Sequence, residues 1–223
     1  MLPTFSVPVA TWLEMGGVYA VANLRGGGEF GEEWHQQGML TRKQQVFDDF
    51  LACAKLLVDS GYTAPEHLAI EGGSNGGLLV GAALTQRPEL FRAAVAHVGL
   101  YDMLHFERYP NGVFNVTEYG SVSDPAQFQA LYAYSPYHRV RDGVHYPAVM
   151  LLSGENDPRV NPADSRKLAA RLQASVAKVP GARPVLLRTR SSGHSAGRLS
   201  DHIDQATDVF TFLFQQLGLS YPH

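Results

Sequence analysis

The chain of 223 residues predicts an α/β domain, a mostly parallel sheet with helices on both faces. Three observations predict it. Short apolar runs of strand length alternate with longer runs of helical spacing along the whole chain. The short runs read as buried strands, as a sheet covered on both faces requires. Ser74, flanked by glycines, follows one such run directly and precedes a helical run directly, which gives a strand–turn–helix context.

The elements follow in order. Val18-Tyr19-Ala20-Val21-Ala22 reads as the first buried strand and runs into Arg25-Gly26-Gly27-Gly28. Phe47, Phe50, Leu51, Ala54 and Leu57 recur at helical spacing. Residues 68–71 form the second strand, 76–86 the next helix and 93–98 the third strand. Residues 101–145 are rich in aromatics, glycine and proline and read as a long irregular excursion over the sheet's active face. Residues 148–152 form the fourth strand, 163–174 a helix and 184–189 the fifth strand. Ile203, Ala206, Val209, Phe210, Leu213, Phe214 and Leu217 lie on one side of a last helix. All of this reads as one domain over 1–223. In open parallel sheets ligands bind beyond the carboxyl ends of the strands, and Ser74 and the Arg-Gly-Gly-Gly loop both fall there.

Composition excludes several function classes. Hydrophobic residues are 45% and charged residues 17%, which argues against disorder. A formal net charge of −3 without a basic stripe gives no nucleic-acid footprint. No apolar run reaches the length of a membrane-spanning helix, and no charged region precedes an apolar one as in a secretory leader. Cys53 is the only cysteine, so no intrachain disulfide can form; its helical apolar context reads as a small buried hydrophobe. Neither a His-Glu-x-x-His run nor a cysteine pair occurs, so no metal and no cofactor is expected.

Gly72-x-Ser74-x-Gly76 matches a nucleophile elbow. Such a turn is too tight for side chains beside the serine, and it lifts the hydroxyl out at the helix N-terminus, where negative charge is stabilised. A serine hydroxyl needs a base, and the base needs an orienting carboxylate. Both occur at later strand ends, in Ser153-Gly154-Glu155-Asn156-Asp157-Pro158-Arg159-Val160 and in Ser191-Ser192-Gly193-His194. Asp157 and His194 are the candidates. Glu155 and Asp102 are rivals for the acid, and an aspartate there could simply cap a helix. His105 is the rival among nine histidines; His97 lies inside a strand, and His35, His67, His138, His145, His202 and His223 lack a strand-end context. Two further motif matches fail on context. Gly193-x-Ser195-x-Gly197 has no acid and histidine after it in the required order. Gly26-x-Gly28-x-x-Gly31 has Asp48 and Asp49 about 20 residues on, but these open a helix where a dinucleotide fingerprint needs an acid ending a strand.

Five segments together closely resemble the prolyl oligopeptidase family of serine peptidases. They are Ala22-Asn23-Leu24-Arg25-Gly26-Gly27-Gly28-Glu29-Phe30-Gly31, Gly72-Gly73-Ser74-Asn75-Gly76-Gly77-Leu78-Leu79, Tyr134-Ser135-Pro136, Asp157-Pro158-Arg159-Val160 and Gly193-His194. The resemblance runs from about Phe5 to the C-terminus. It implies an α/β-hydrolase catalytic domain with Ser74 as nucleophile, His194 as general base and acid, and Asp157 as its orienting carboxylate. It implies the Asn75 backbone N–H as one oxyanion donor, Arg159 as ligand to a substrate carbonyl, and Tyr119 and Val160 as walls of the pocket for the residue before the scissile bond. On the residues alone, Arg159 could equally form a surface ion pair with Glu155 or Asp164, and Tyr119 could be a plain core aromatic.

Two departures qualify the resemblance. Asn115 stands where the family places a tryptophan that stacks on the substrate proline, which points to a weaker or broader preference for small apolar residues. The family's early strands, its β-propeller and the Tyr-Gly-Gly segment supplying a second oxyanion donor all precede Phe5, so the sequence reads as the C-terminal portion of a longer peptidase, a domain incomplete at its N-terminal side. The strand leading into that segment belongs between the strands at 18–22 and 68–71, and its loss would open the sheet there. The expected activity is hydrolysis of short peptides after proline or small apolar residues through an acyl-enzyme on Ser74. An esterase or acyl-peptide hydrolase is the alternative, and an inactive fragment with half an oxyanion hole a further one. The expected partners are a short peptide and, in the full-length protein, a β-propeller over the site, with neither nucleic acid nor membrane. The expected location is the cytoplasm, or the periplasm or exterior if a signal lies upstream of Met1.

Overall fold

A computed structural model describes residues 4–195 and 197–220. Four strands form one sheet in the order β1 (Ala69–Gly73), β2 (Ala93–His97), β3 (Ala148–Gly154), β4 (Val185–Arg190), all parallel. The sheet is α/β as the sequence predicts, and four of the five expected strands are in it.

Side-chain alternation sets its two faces. Ala94 and Ala96 of β2 and Val149 and Leu151 of β3 join one apolar cluster, and Ala93, Val95, Ala148, Met150 and Leu152 join another. The first face is covered by α3 (Gln44–Asp59), α4 (Asn75–Gln86) and α8 (Pro162–Val176), which contribute Ala54, Val80, Leu84, Leu168 and Leu172. The second is covered by α9 (Leu199–Leu217) through Val209, Phe212, Leu213 and Leu217. Coverage on both sides explains why β3 is buried at every position. The α9 side also receives α1 (Val7–Glu14), an element the sequence does not announce, whose Trp12 ring packs 5.6 Å from Phe214 and 5.8 Å from Phe210.

The structure corrects the first expected strand. Val18–Ala22 pairs with no strand among the described residues, and Val18, Tyr19 and Val21 are exposed. A run of β-formers becomes a strand only when it bonds an edge, and this one bonds none, although β1 has an unpaired edge among the described residues. The excursion is corrected too. Residues 101–145 contain α5 (Val116–Tyr119), α6 (Pro125–Tyr134) and α7 (Pro136–Arg139). Asp124 begins α6 by accepting hydrogen bonds from the Ala126 and Gln127 N–H groups, with Pro125 in the first turn, a start signal visible in the sequence. Part of the excursion is core: Phe106, Tyr119, Tyr134 and the aliphatic Leu131 are buried with Phe47 and Leu78. Cys53 is half-buried in α3 rather than fully buried, and burial pushes its thiol pKa up.

Candidate active site

The turn between β1 and α4 places Ser74 at the carboxyl edge of the sheet. Its backbone sits at φ 57°, ψ −115°, a conformation costing a non-glycine residue about 1–3 kcal/mol. The turn is pinned by the Ser74 N–H donating to the His97 carbonyl at 2.8 Å. Glycines permit the geometry: a Cβ on Gly72 would strike the Gly76 carbonyl, and one on Gly77 would lie 2.7 Å from the Gly99 Cα. Asn75 opens α4, so its N–H is among the first four that lack an intrahelical acceptor. That donor, at the positive end of a helix beside the serine, can bind an oxyanion.

The candidate acid and base sit beyond β3 and β4. Asp157 Oδ2 is 2.7 Å from His194 Nδ1, with the carboxylate side chain almost wholly buried and the imidazole mostly so. The other carboxylate oxygen accepts the Arg159 and Val160 N–H groups at 2.8 and 3.0 Å. Asp157 therefore holds its own loop and the imidazole at once. It does not cap α8; Asn161 does, through the Ala163 N–H at 2.9 Å. With Nδ1 donating to Asp157, Nε2 is left to accept a proton. The two loops are locked together because a Cβ on Gly154 would collide with the Gly193 carbonyl, so only glycine allows their close approach. The Asn156 side chain adds a bond to the Ser191 carbonyl at 2.7 Å.

The rivals are occupied elsewhere or exposed. Asp102 is fully buried between His105 and Lys167, with His105 Nδ1 2.9 Å from its Oδ2. Glu155 is exposed. His97 is mostly packed, with Nε2 2.8 Å from Glu71 and Nδ1 3.0 Å from the Gln205 amide. Ser195 lies between β4 and α9 rather than in a strand–turn–helix; Ala196 and His223 lie outside the described residues. Asp48 and Asp49 lie in α3, and Asp49 binds Arg25 Nε at 2.8 Å, which ties down the Arg-Gly-Gly-Gly loop. That bond and the burial opposing it leave Asp49 with a pKa below the usual carboxylate range.

The remaining candidates surround this edge. Tyr119 and Val160 are buried in one cluster with Phe106, so the acid loop and the excursion share a wall. The Tyr119 hydroxyl donates to Asn75 Oδ1 at 3.2 Å. Arg159 is exposed, and its guanidinium has no hydrogen-bond or ion-pair partner among the described residues. Asp164, weighed above as its partner, instead accepts the Tyr101 and Asp102 N–H groups at 2.7 and 2.8 Å inside the protein. Asn115 bonds the Asn111 carbonyl at 3.2 Å and Phe114 is 78% exposed, so neither supplies a buried aromatic platform. Asn111, which the sequence does not single out, donates to the Pro158 carbonyl and fastens the excursion to the acid loop. No group of metal-ligating side chains occurs among the described residues, and no helix there is long and apolar enough to cross a membrane.

Comparison with known proteins gives one answer. The model of the prolyl oligopeptidase family matches residues 3–220. The prolyl endopeptidase of Elizabethkingia meningoseptica is 41% identical over 220 residues, covering 97% of this chain and 31% of that protein. A solved prolyl endopeptidase structure superposes with a TM-score of 0.92 at 48% identity, over 97% of this chain and 32% of the other. The post-proline cleaving enzyme of Rickettsia typhi superposes at 0.90 with 36% identity, over 97% and 31% of the two chains. The chain thus spans about a third of the length of the relatives it matches.

Proposed function

This chain belongs to the prolyl oligopeptidase family of serine peptidases, and from that premise we propose that it hydrolyses peptide bonds through an acyl-enzyme on Ser74. The observation that carries the reading is the 2.7 Å contact between His194 Nδ1 and buried Asp157, on the same sheet edge as a strained serine at a helix N-terminus. In the proposed reaction Nε2 of His194 takes the Ser74 proton as Oγ attacks the substrate carbonyl. The carbonyl oxygen gains negative charge beside the Asn75 N–H. His194, now an imidazolium stabilised by Asp157, gives its proton to the leaving amine. Water, deprotonated by His194, then attacks the ester and releases Ser74.

Arg159 supports a peptide substrate, since a guanidinium without a partner among the described residues, beside Asp157, offers donors to a backbone carbonyl. Tyr119 and Val160 would wall the adjoining pocket. The names of the relatives, prolyl endopeptidase and post-proline cleaving enzyme, support cleavage after proline. The amide of Asn115 and the exposure of Phe114 support a preference broad enough to admit small apolar residues. The relatives' greater length supports a further domain, a β-propeller, packed over this site in the complete protein. The single cysteine supports a cytoplasmic location.

A panel of chromogenic amides and esters tests the substrate. The proposal expects amides after proline and alanine to be cleaved with a ratio nearer one than a stacked-ring pocket would give. Cleavage of esters alone would replace it with the esterase reading.

A further inference from the structure

We infer that Glu118, clamped by Lys43 and His35, is a positioning residue that aims the Tyr119 hydroxyl at the Asn75 side chain and so steadies the residue next to the nucleophile. The inference rests on the serine-peptidase reading of Ser74 for its effect on rate, and on geometry alone for the contact.

The segment that carries Tyr119 cannot hold itself. α5 is a single turn of four residues, ended by Gly120 at φ 94°. One turn is below the length at which a helix is stable, so its direction must come from tertiary contacts. Glu118 supplies them on one side. Its Oε1 is 2.7 Å from Lys43 Nζ and its Oε2 is 3.0 Å from His35 Nε2. Lys43 lies at the start of α3, and His35 belongs to α2 (Glu32–Gln36), just after the glycine-rich loop. Three elements thus meet on one carboxylate. Lys43 is 1% exposed, and among the described residues Glu118 is its only anionic partner. A buried ammonium is tolerated only with such a partner, so the pair fixes α5 firmly.

Tyr119, the next residue, shares Lys43 with Glu118 and reaches on to the residue after Ser74. Its hydroxyl reaches Asn75 Oδ1 at 3.2 Å, its ring stacks edge-on against Phe106 at 5.7 Å, and the Lys43 ammonium lies 5.1 Å from the ring centre. Burial, with the Glu118 charge adding to it, pushes the Tyr119 hydroxyl pKa up, so it remains a donor throughout the working pH range. Glu118 itself stays ionised: burial raises its pKa, but Lys43 and His35 together outweigh burial and hold it below the usual value. Asn75 is exposed, and a side chain there would sample several rotamers without an anchor. The Tyr119 bond selects one, next to the N–H that would face the oxyanion.

The test uses the full chain and the variants Tyr119→Phe, Glu118→Gln, Asn75→Ala and the Tyr119→Phe/Asn75→Ala double. Two signals are followed, the second-order rate of Ser74 phosphonylation by a fluorophosphonate and the Asn75 carboxamide resonances. Tyr119→Phe keeps the ring and removes only the hydroxyl, so a residue that merely lines a pocket would be unaffected. The inference expects shifted Asn75 resonances and a rate about 5- to 10-fold lower, the scale of one hydrogen bond. With an amide substrate the loss should fall on kcat and leave KM within about twofold. The double variant should be no slower than the slower single, and folded Glu118→Gln should shift the same Asn75 resonances. Wild-type rate and unmoved Asn75 resonances in Tyr119→Phe would overturn the inference. If the wild-type chain is not phosphonylated, the peptidase reading fails for this chain and the resonances alone decide the contact. A folded Glu118→Gln whose Asn75 resonances do not move would overturn the role of Glu118; should it not fold, His35→Ala, which removes one arm of the clamp, is read by the same resonances with the same two outcomes.

Discussion

The loops beyond β3 and β4 and the stretch before β1 are alike in sequence, yet only the loops are assembled. Each starts from an apolar run that reads as a buried strand. At β3 and β4 the run finds its neighbour: six register pairs from Val149↔Val185 to Gly154↔Arg190 carry the ladder to the acid and base. At 18–22 the run finds none and stays exposed. Strand formation depends on reaching and bonding an edge as well as on local composition. The end of the site that holds Asp157 and His194 is therefore built by contacts within the described residues, whereas β1, the strand leading to Ser74, has a bonding edge without a partner there.

Breaking the assembled end should have the largest effect. Gly154→Val places side-chain atoms against the Gly193 backbone, which cannot rotate away. Overpacking costs about 1–3 kcal/mol, and an obstruction made of backbone puts this variant at the upper end, about 3 kcal/mol. Chemical denaturation should show that loss, and phosphonylation of Ser74 should fall with it because His194 is displaced. Wild-type stability in this variant would show that the two loops are not locked together.

A somewhat smaller effect separates the buried acid behind the site from those on the surface. Burial raises the Asp164 pKa from 3.8 to about 6, despite two backbone N–H bonds that act against it. The folded protein then holds a proton that the unfolded chain has already released between pH 4 and 6, so stability falls as pH rises through that window. Asp164→Asn keeps an acceptor for the Tyr101 and Asp102 N–H groups and removes the titration. Relative to that variant, the wild type should lose on the order of 2 kcal/mol from pH 4 to pH 7. A difference that stays constant with pH would mean that Asp164 titrates as it would in solution.

The smallest effect belongs to the exposed stretch. Val18→Thr and Val21→Thr remove apolar surface that packs little in this chain, so each should change stability by no more than about 0.5 kcal/mol. A loss above about 1.5 kcal/mol, the scale of burying such a side chain, would reveal that the stretch is packed after all.

The sequence made the site more legible than its supports. Ser74, Asp157 and His194 were readable because each follows a strand-length apolar run, and the end of a strand predicts an edge without knowledge of the packing. Helices α3 and α9 were readable from spacing, and α4 and α8 from their place between strand-length apolar runs. The Asp124-Pro125 start of α6 was also there to be read, but aromatic and glycine content around it suggested a loop. Lys43 gave no sign of burial, because the carboxylate that permits it lies 75 residues away and the pairing is wholly tertiary. Asp164 looked like a surface ion-pair partner for the same reason. Its true partners are backbone groups after β2, which no side-chain pattern encodes.

Labelling the 223-residue chain with a fluorescent fluorophosphonate tests the central claim most directly. The account expects one labelled serine, absent in Ser74→Ala, with labelling about 10⁴-fold slower in Asp157→Asn, where the imidazole loses its orienting charge. A chain shown to be folded by its cooperative unfolding that takes no label, or one labelled equally well in Ser74→Ala, would contradict it.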